Sequence, residues 1–221
     1  MDLGEPLSLY CERIAPGIFG EPLNALSNLA FFYGAWRLWG ETREEPRRSR
    51  RAVLALAALI ALVGAGSLAF HTAATAGTRI LDLLFIGIFN VVYLACFLRL
   101  AASWPAWRAG AAVLAFLAAD RAAAALGLGG VLNGSGTYLP ALAALAALTG
   151  YGLRLSPSAG RLMLSATAVF LMSLSARTVD QSLCGSWPWG THFLWHLLNA
   201  WVLYRLSKAL LLFGRPVRQP G

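Results

Sequence analysis

The sequence predicts an all-α membrane protein: a bundle of seven transmembrane helices with the N-terminus outside and the C-terminus in the cytoplasm. Three observations support this fold class. Hydrophobic residues make up 58% of the 221 residues and charged residues only 13%. Apolar runs of about 20 residues recur along the chain. Basic residues are concentrated in alternate loops.

Hydropathy divides the chain into three parts. We predict an outer N-terminal tail (1–20), a seven-helix domain (21–214) and a cytoplasmic tail (215–221), with no room for a second domain. The predicted helices lie at 22–39, 52–71, 80–100, 105–125, 137–153, 161–177 and 191–213.

The first three helices follow directly from the apolar runs. The first must direct membrane insertion itself, because the first 20 residues contain acidic residues, prolines and glycines instead of a cleavable signal peptide. The second runs outward and ends with Ser67 and His71, which share one helix face. The third starts on the outer side with Asp82 in its first turn.

The other four helices are less uniform. In the fourth, Asp120 and Arg121 interrupt an alanine-rich stretch before a glycine-rich segment, so its outer end is expected to fray or bend. The fifth and sixth are long apolar runs. The seventh starts on the outer side with His192 and His196, whose rings lie one turn apart on one face.

The distribution of basic residues predicts the orientation. Of the 18 basic residues, Arg13, Arg79, Arg121 and Arg177 lie on one side and Arg37 lies inside the first helix. The other 13 lie on the opposite side, which is therefore cytoplasmic. The net charge of +8 is spread over these membrane-facing loops, so it indicates topology and not nucleic-acid binding.

The cysteines agree with this topology. Cys11 in the tail and Cys184 in the last outer loop face the side where disulfides persist, whereas Cys96 lies within a span. We predict a Cys11–Cys184 disulfide, which would tie the tail to the start of the seventh helix. The alternative is two unpaired thiols.

All three histidines of the chain, His71, His192 and His196, lie where outer helix ends meet loops. Three neutral imidazoles with an open fourth position are typical of catalytic zinc. Asp82 would orient a water molecule and carry its proton, and Ser67 could hydrogen-bond the oxyanion or the leaving group. The alternatives are hydrogen bonds between helices for the histidines, close helix approach for Ser67 and an ion pair with Arg79 for Asp82.

Several sequence blocks resemble the alkaline ceramidases, a family of seven-helix zinc hydrolases whose superfamily includes the adiponectin and progestin receptors. The blocks are 10–13, 21–28, 66–71 with Asp82, and Arg177, Asp180, Cys184 and 190–199. The resemblance implies zinc on the three histidines, catalytic roles for Ser67 and Asp82, and a disulfide between Cys11 and Cys184. It also implies the topology with the N-terminus outside.

The resemblance raises the question of a calcium site in the tail. Glu12 and Glu21 match family residues, but Ser8-Leu9 and Ile14 stand where two further oxygen ligands are expected. Calcium generally takes six to eight oxygen ligands, so their loss weighs against calcium. The alternative for Glu21 is a polar seam with Asn24 and Asn28 inside the bundle.

We therefore expect a zinc-dependent amidase that hydrolyses ceramide or a related N-acyl lipid to a fatty acid and an amine. A bacterial inner membrane with the active site toward the periplasm is the expected location, and the expected partner is the lipid substrate, with no obligate protein partner. Two alternatives remain. One is a zinc-containing receptor or sensor with little hydrolytic activity. The other is a haem protein with axial histidines.

Overall fold

The computed structural model describes residues 2–13, 15, 17, 19–43 and 47–213, with the backbone alone at positions 47 and 48. The predicted cytoplasmic tail, 215–221, lies outside the described residues. Within them the chain is helical, and no strand is present beyond an isolated antiparallel bridge between Pro6 and Thr75. The α-helices are α1 (Pro22–Ser27), α2 (Leu29–Glu41), α3 (Arg47–Ala73), α4 (Ala76–Cys96), α5 (Ala106–Ala125), α6 (Leu139–Leu155), α7 (Pro157–Leu183) and α8 (His192–Phe213).

The first predicted helix is divided into α1 and α2 at Asn28. Asn28 keeps helical backbone angles, and its side-chain amide donates to the carbonyl oxygen of Asn24 at 2.8 Å. Ser27 donates to the same oxygen, also at 2.8 Å. Such side-chain bonds compete with the backbone hydrogen bonds of a helix, which accounts for the interruption.

The six other predicted helices each correspond to one helix of the structure. α3 begins five residues before its predicted start at 52, and α4 continues through a π-helical turn at Phe97–Ala101. α5 is regular up to Ala125. The predicted fraying or bending at Asp120 and Arg121 is not seen, because both side chains lie on the surface of the bundle and displace no packed neighbour.

Four helical segments of the described chain are long and apolar enough to cross a membrane. α2 has only 13 residues, α5 contains three charged residues, and α8 contains histidine, asparagine, arginine and lysine side chains that lower its mean hydropathy. The helices are thus those of a membrane protein, while seven spans and their orientation stay predictions. The four segments are Ser49–Ala73, Ala76–Ala101, Ser135–Leu155 and Pro157–Leu183.

Consecutive helices pack against each other in a ring that α8 closes. The order runs from α2 through α3, α4, α5, α6 and α7 to α8, which contacts both α2 and α3. Buried residues occur along the whole of α8, as expected for a helix that has neighbours on several sides. The first turns of α8 therefore lie beside the last turns of α3, and these are the positions of the three histidines.

α3 and α4 approach each other closely at Gly66. A Cβ atom at this position would lie 2.9 Å from the carbonyl oxygen of Leu81, closer than any other residue could tolerate without moving the helices. The missing side chain allows the close approach, and the next residue, Ser67, faces the same cavity as Asp82 of α4.

The N-terminal tail crosses the end of the bundle at which the histidines lie. The backbone N–H of Leu7 donates to Ala74 at 2.7 Å, and the N–H of Ala76 donates to Glu5 at 3.0 Å. These bonds fix the tail along the turn between α3 and α4. Farther on, Cys11 forms a disulfide with Cys184 after α7, the pairing predicted from the sequence.

Candidate metal centre

The three histidines meet at one buried point. His71 comes from the last turn of α3, and His192 and His196 come from the first two turns of α8. Each is at most 2% exposed. One nitrogen from each ring lies within 4.8 Å of the others, which is close enough for a common ion with modest adjustment. The sequence predicted this convergence. Hydrogen bonds between helices, the alternative considered for the histidines, are present as well, since Nδ1 of His196 in α8 pairs with Ser27 of α1.

The hydrogen bonds of the rings leave nitrogens for a metal. Nδ1 of His71 lies 2.5 Å from Oε2 of Glu21, and Nδ1 of His196 lies 2.7 Å from Oγ of Ser27. Nε2 of His71 and Nδ1 of His192 are buried and have no partner among the described residues. Buried polar atoms without partners are costly, and a metal ion would supply a partner. The residues therefore fit a metal with three imidazole ligands.

Glu21 connects His71 to the tail. Its Oε1 forms an ion pair with Nε of Arg13, and its Oε2 also accepts from the side chain of Asn24 at 3.0 Å. Arg13 donates in addition to the backbone carbonyl of His71 at 3.0 Å. A carboxylate that accepts from the second nitrogen of a metal-binding histidine fixes its tautomer and its orientation. Glu21 is in the position for this role.

Glu12, the other acidic residue considered for calcium, has a different role. Its two carboxylate oxygens accept the backbone N–H groups of Leu23 and Asn24 at 2.5 and 2.8 Å, which satisfies the start of α1. Both acidic residues considered for calcium thus bind protein donors in this structure. A calcium site on Glu12 and Glu21 stays a prediction.

The two carboxyl groups differ in their ionisation. Burial raises the pKa of Glu12, against the effect of its two backbone donors. Burial acts in the same direction on Glu21, but the hydrogen bonds from His71, Asn24 and Arg13 outweigh it and lower the pKa of Glu21. Glu21 is therefore the better suited of the two to remain a carboxylate beside a metal-binding histidine.

Tyr10 lies against the third histidine. Its ring stacks on His192 with 3.6 Å between ring centroids and 14° between planes. Nη1 of Arg177 donates to the Tyr10 hydroxyl at 3.0 Å, and the guanidinium also lies over the rings of Tyr138 and Trp195. Each of the three histidines thus contacts a residue of the N-terminal segment 10–27.

Asp180 of α7 fixes the start of α8. Its Oδ1 accepts the backbone N–H groups of Thr191 and His192 at 2.6 and 2.9 Å, and its Oδ2 accepts the N–H of Cys11 at 3.2 Å. Gly190 has a φ of 61°, and a Cβ atom there would lie 2.2 Å from Oδ1 of Asp180. Glycine at position 190 is therefore what allows Asp180 to reach the helix start.

Ser67 and Asp82 lie beside the histidines, as predicted. Oγ of Ser67 is buried and lies 3.4 Å from Nε2 of His196. Asp82 lines the same cavity as Ser67 and His196. The alternative for Asp82 was an ion pair with Arg79. No such ion pair is present among the described residues.

An apolar cavity extends from these polar groups into the bundle. The volume open to the centre of a water molecule is about 80 Å³, and the surrounding unfilled space of about 870 Å³ includes space outside the bundle. Beyond Ser67, Asp82 and His196 its walls are mainly aromatic and aliphatic, and they reach Leu148 and Leu206. Leu206 lies ten residues after His196, which is about 15 Å along α8. This depth is about half of the ~30 Å hydrocarbon thickness of a bilayer.

Comparisons with known protein families and with curated proteins find no match. The assignment of a function therefore rests on the residues and their geometry.

Four contributors to the site were not identified as such from the sequence: Tyr10, Glu21, Ser27 and Asp180. Glu21 and Asp180 carried a signal: Glu21 is the one charged residue between Arg13 and Arg37, and Asp180 is the one acidic residue of α7. Their partners could not be read from spacing, since the contacts join segments that are far apart in the chain. Tyr10 had a weaker signal in its position next to Cys11.

Proposed function

We propose that this protein is a zinc-dependent intramembrane amidase that hydrolyses ceramide or a related N-acyl lipid. The observation that carries the proposal is the position of three buried histidines, two with an unpartnered nitrogen, at one end of an apolar cavity. A cavity with apolar walls and a few polar groups at one end suits an amphiphile whose polar group lies at that end. The acyl chain would occupy the apolar part.

Zinc is the metal that the donor set favours. The ligands are His71, His192 and His196, and three histidines with an open fourth position are typical of catalytic zinc. When bound, zinc supplies Lewis-acid activation of the amide carbonyl and of a water molecule. Glu21 would keep Nδ1 of His71 protonated, and Ser27 would pair with Nδ1 of His196. In both rings Nε2 is then the nitrogen available to the metal.

The neighbouring side chains account for the proton transfers. Asp82 accepts a proton from the attacking water and passes it to the amide nitrogen as the carbon–nitrogen bond breaks. Ser67 donates a hydrogen bond to the oxygen that becomes negative. The water oxygen becomes part of the fatty acid, and the proton leaves on the amine. Atoms and charge balance without a further co-reactant.

The topology that accompanies this proposal has seven spans, with the N-terminus and the metal centre on the non-cytoplasmic side of a bacterial inner membrane. The asymmetry of basic residues and the disulfide support this orientation, because disulfides persist outside the cytoplasm. The sequence blocks that resemble alkaline ceramidases contain the histidines, Ser67 and Asp82, which adds support for the activity.

The test is hydrolysis of a ceramide panel by the purified protein with zinc bound. We expect release of fatty acid by the wild type and loss of at least about a hundredfold in His196→Ala, since a ligand is removed. Leu197→Ala is the matched control, because Leu197 is the next residue of α8 and is 41% exposed. Equal, metal-independent activity of the wild type and His196→Ala would exclude the mechanism. Stoichiometric zinc without hydrolysis would instead favour the receptor or sensor.

A further inference from the structure

The three histidines differ in how their rings are oriented. His71 and His196 each have a hydrogen bond from Nδ1 to a side chain of the N-terminal segment. No hydrogen bond joins either ring nitrogen of His192 to a side chain of the described chain, so whichever nitrogen binds the metal, the other has no orienting hydrogen bond. The close contact that fixes the plane of the His192 ring is the stacked ring of Tyr10, at 3.6 Å and 14°.

Besides the bond from the Cys11 N–H to Asp180, three interactions keep Tyr10 on His192. Arg177 donates to its hydroxyl at 3.0 Å, and the guanidinium lies 5.7 Å from the centre of its ring. The next residue, Cys11, is bound covalently to Cys184, 173 residues later in the chain. Of these, the disulfide is the one that a change of redox conditions can remove.

We propose that Tyr10 is a positioning residue for His192 and that the Cys11–Cys184 disulfide couples the zinc affinity of the site to its redox state. The inference rests on the proposed zinc site but not on the amidase activity. A dithiol would transfer two electrons and two protons to the disulfide, giving two cysteine thiols and the oxidised dithiol. Tyr10 would then lose its covalent anchor, and the His192 ring would lose its fixed plane.

The magnitude follows from the role of residues that orient metal ligands. Removing such a residue typically lowers metal affinity by about 10- to 100-fold. The same range is expected for Tyr10→Leu with the disulfide intact and for Cys11→Ser combined with Cys184→Ser. Tyr10→Phe keeps the stacked ring and loses only the bond from Arg177, so its zinc affinity should stay within about threefold of the wild type.

Zinc affinity is measured by competition with a chromogenic chelator, using the purified full chain in detergent. The cysteine double variant replaces chemical reduction, because thiol reductants bind zinc themselves. Cys96→Ser is the matched control, since Cys96 is not in the disulfide. Thermal unfolding of each variant identifies the fraction of folded protein, to which the affinities refer.

The decisive result is the triple variant that combines Tyr10→Leu with both serine replacements. If the disulfide acts through Tyr10, the triple variant loses no more affinity than either parent, because the two changes remove one interaction. Losses that multiply, or wild-type affinity in Tyr10→Leu, would overturn the inference while leaving the zinc site in place. Failure of the wild type to bind zinc would overturn the zinc site and this inference together, and zinc binding without hydrolysis would affect the amidase proposal alone.

Discussion

Replacing Glu21 with glutamine tests the link between the tail and the metal centre most directly. The carboxylate of Glu21 is 1% exposed and accepts from three donors: Arg13 on Oε1, and His71 and Asn24 on Oε2. A carboxylate only accepts hydrogen bonds, whereas an amide has one accepting and one donating end. Glutamine must therefore place its NH₂ group against at least one donor.

Both orientations of the amide weaken the site. If the amide oxygen faces Arg13, the NH₂ group faces Nδ1 of His71, and Nδ1 must accept a hydrogen bond. This favours the tautomer with the proton on Nε2, and a protonated Nε2 cannot bind a metal. If the amide is reversed, the NH₂ group faces the Arg13 guanidinium. A lost hydrogen bond to a charged group corresponds to about 1.5–3 kcal/mol, and each 1.4 kcal/mol is about tenfold in affinity. We expect Glu21→Gln to bind zinc about 10- to 100-fold more weakly.

Glu12→Gln is the matched control. Glu12 is 4% exposed and also accepts two hydrogen bonds, but its donors are backbone N–H groups at the start of α1. Its replacement should lower the free energy of unfolding by about 1–3 kcal/mol and leave the zinc affinity of the folded protein near that of the wild type. Chelator competition measures the affinity, and thermal unfolding measures the stability. Wild-type affinity in Glu21→Gln, or equal losses in both variants, would refute the assignment of Glu21 to His71.

Four further outcomes are expected. Asp82→Asn should retain zinc, measured by metal analysis, and lose at least about a hundredfold in fatty-acid release, since the amide cannot carry the proton. Gly190→Ala should lower the free energy of unfolding by about 1–3 kcal/mol, because of its positive φ and the clash with Asp180; an unchanged melting temperature would contradict this. Leu206→Trp should shorten the cavity and reduce hydrolysis of long-chain more than short-chain ceramides, as seen in a chain-length series. Removing zinc with a chelator should lower the melting temperature, and returning zinc at about 100 times its Kd should restore about 2.7 kcal/mol; no thermal shift would argue against a bound metal.

Periodicity and hydropathy predicted the parts of the site that depend on helices alone. His192 and His196 are one turn apart at the start of α8, and His71 lies in the last turn of α3, so a common layer followed from where the helices begin and end. The interruption at Asn28 could not be predicted in this way. It depends on side-chain hydrogen bonds to one carbonyl, and hydropathy does not register such bonds.

The surroundings of the histidines depend on the path of the tail, which no local pattern specifies. The predicted disulfide placed Cys11 near the start of the last helix, and the adjacent Tyr10 could have been placed there as well. The contact between Glu21 and His71 requires in addition that α1 lies against α3 and α8. A pairing of this kind becomes visible only when the helices are assembled.

The N-terminal segment and the three histidines form one unit in physical terms. Tyr10 contacts His192, Glu21 contacts His71 and Ser27 contacts His196, so each imidazole has its own neighbour within 18 residues of chain. The segment is fixed at one end by the disulfide and at the other by α1, which packs on α3 and α8. Because the three contacts share one backbone, a displacement of the whole segment would alter all three histidines together. Removal of the disulfide alone releases only the end that carries Tyr10, since α1 still holds Glu21 and Ser27 against α3 and α8. Metal affinity should therefore fall no further in the cysteine double variant than in Tyr10→Leu, and it should fall further when the contacts of Tyr10 and Glu21 are removed together.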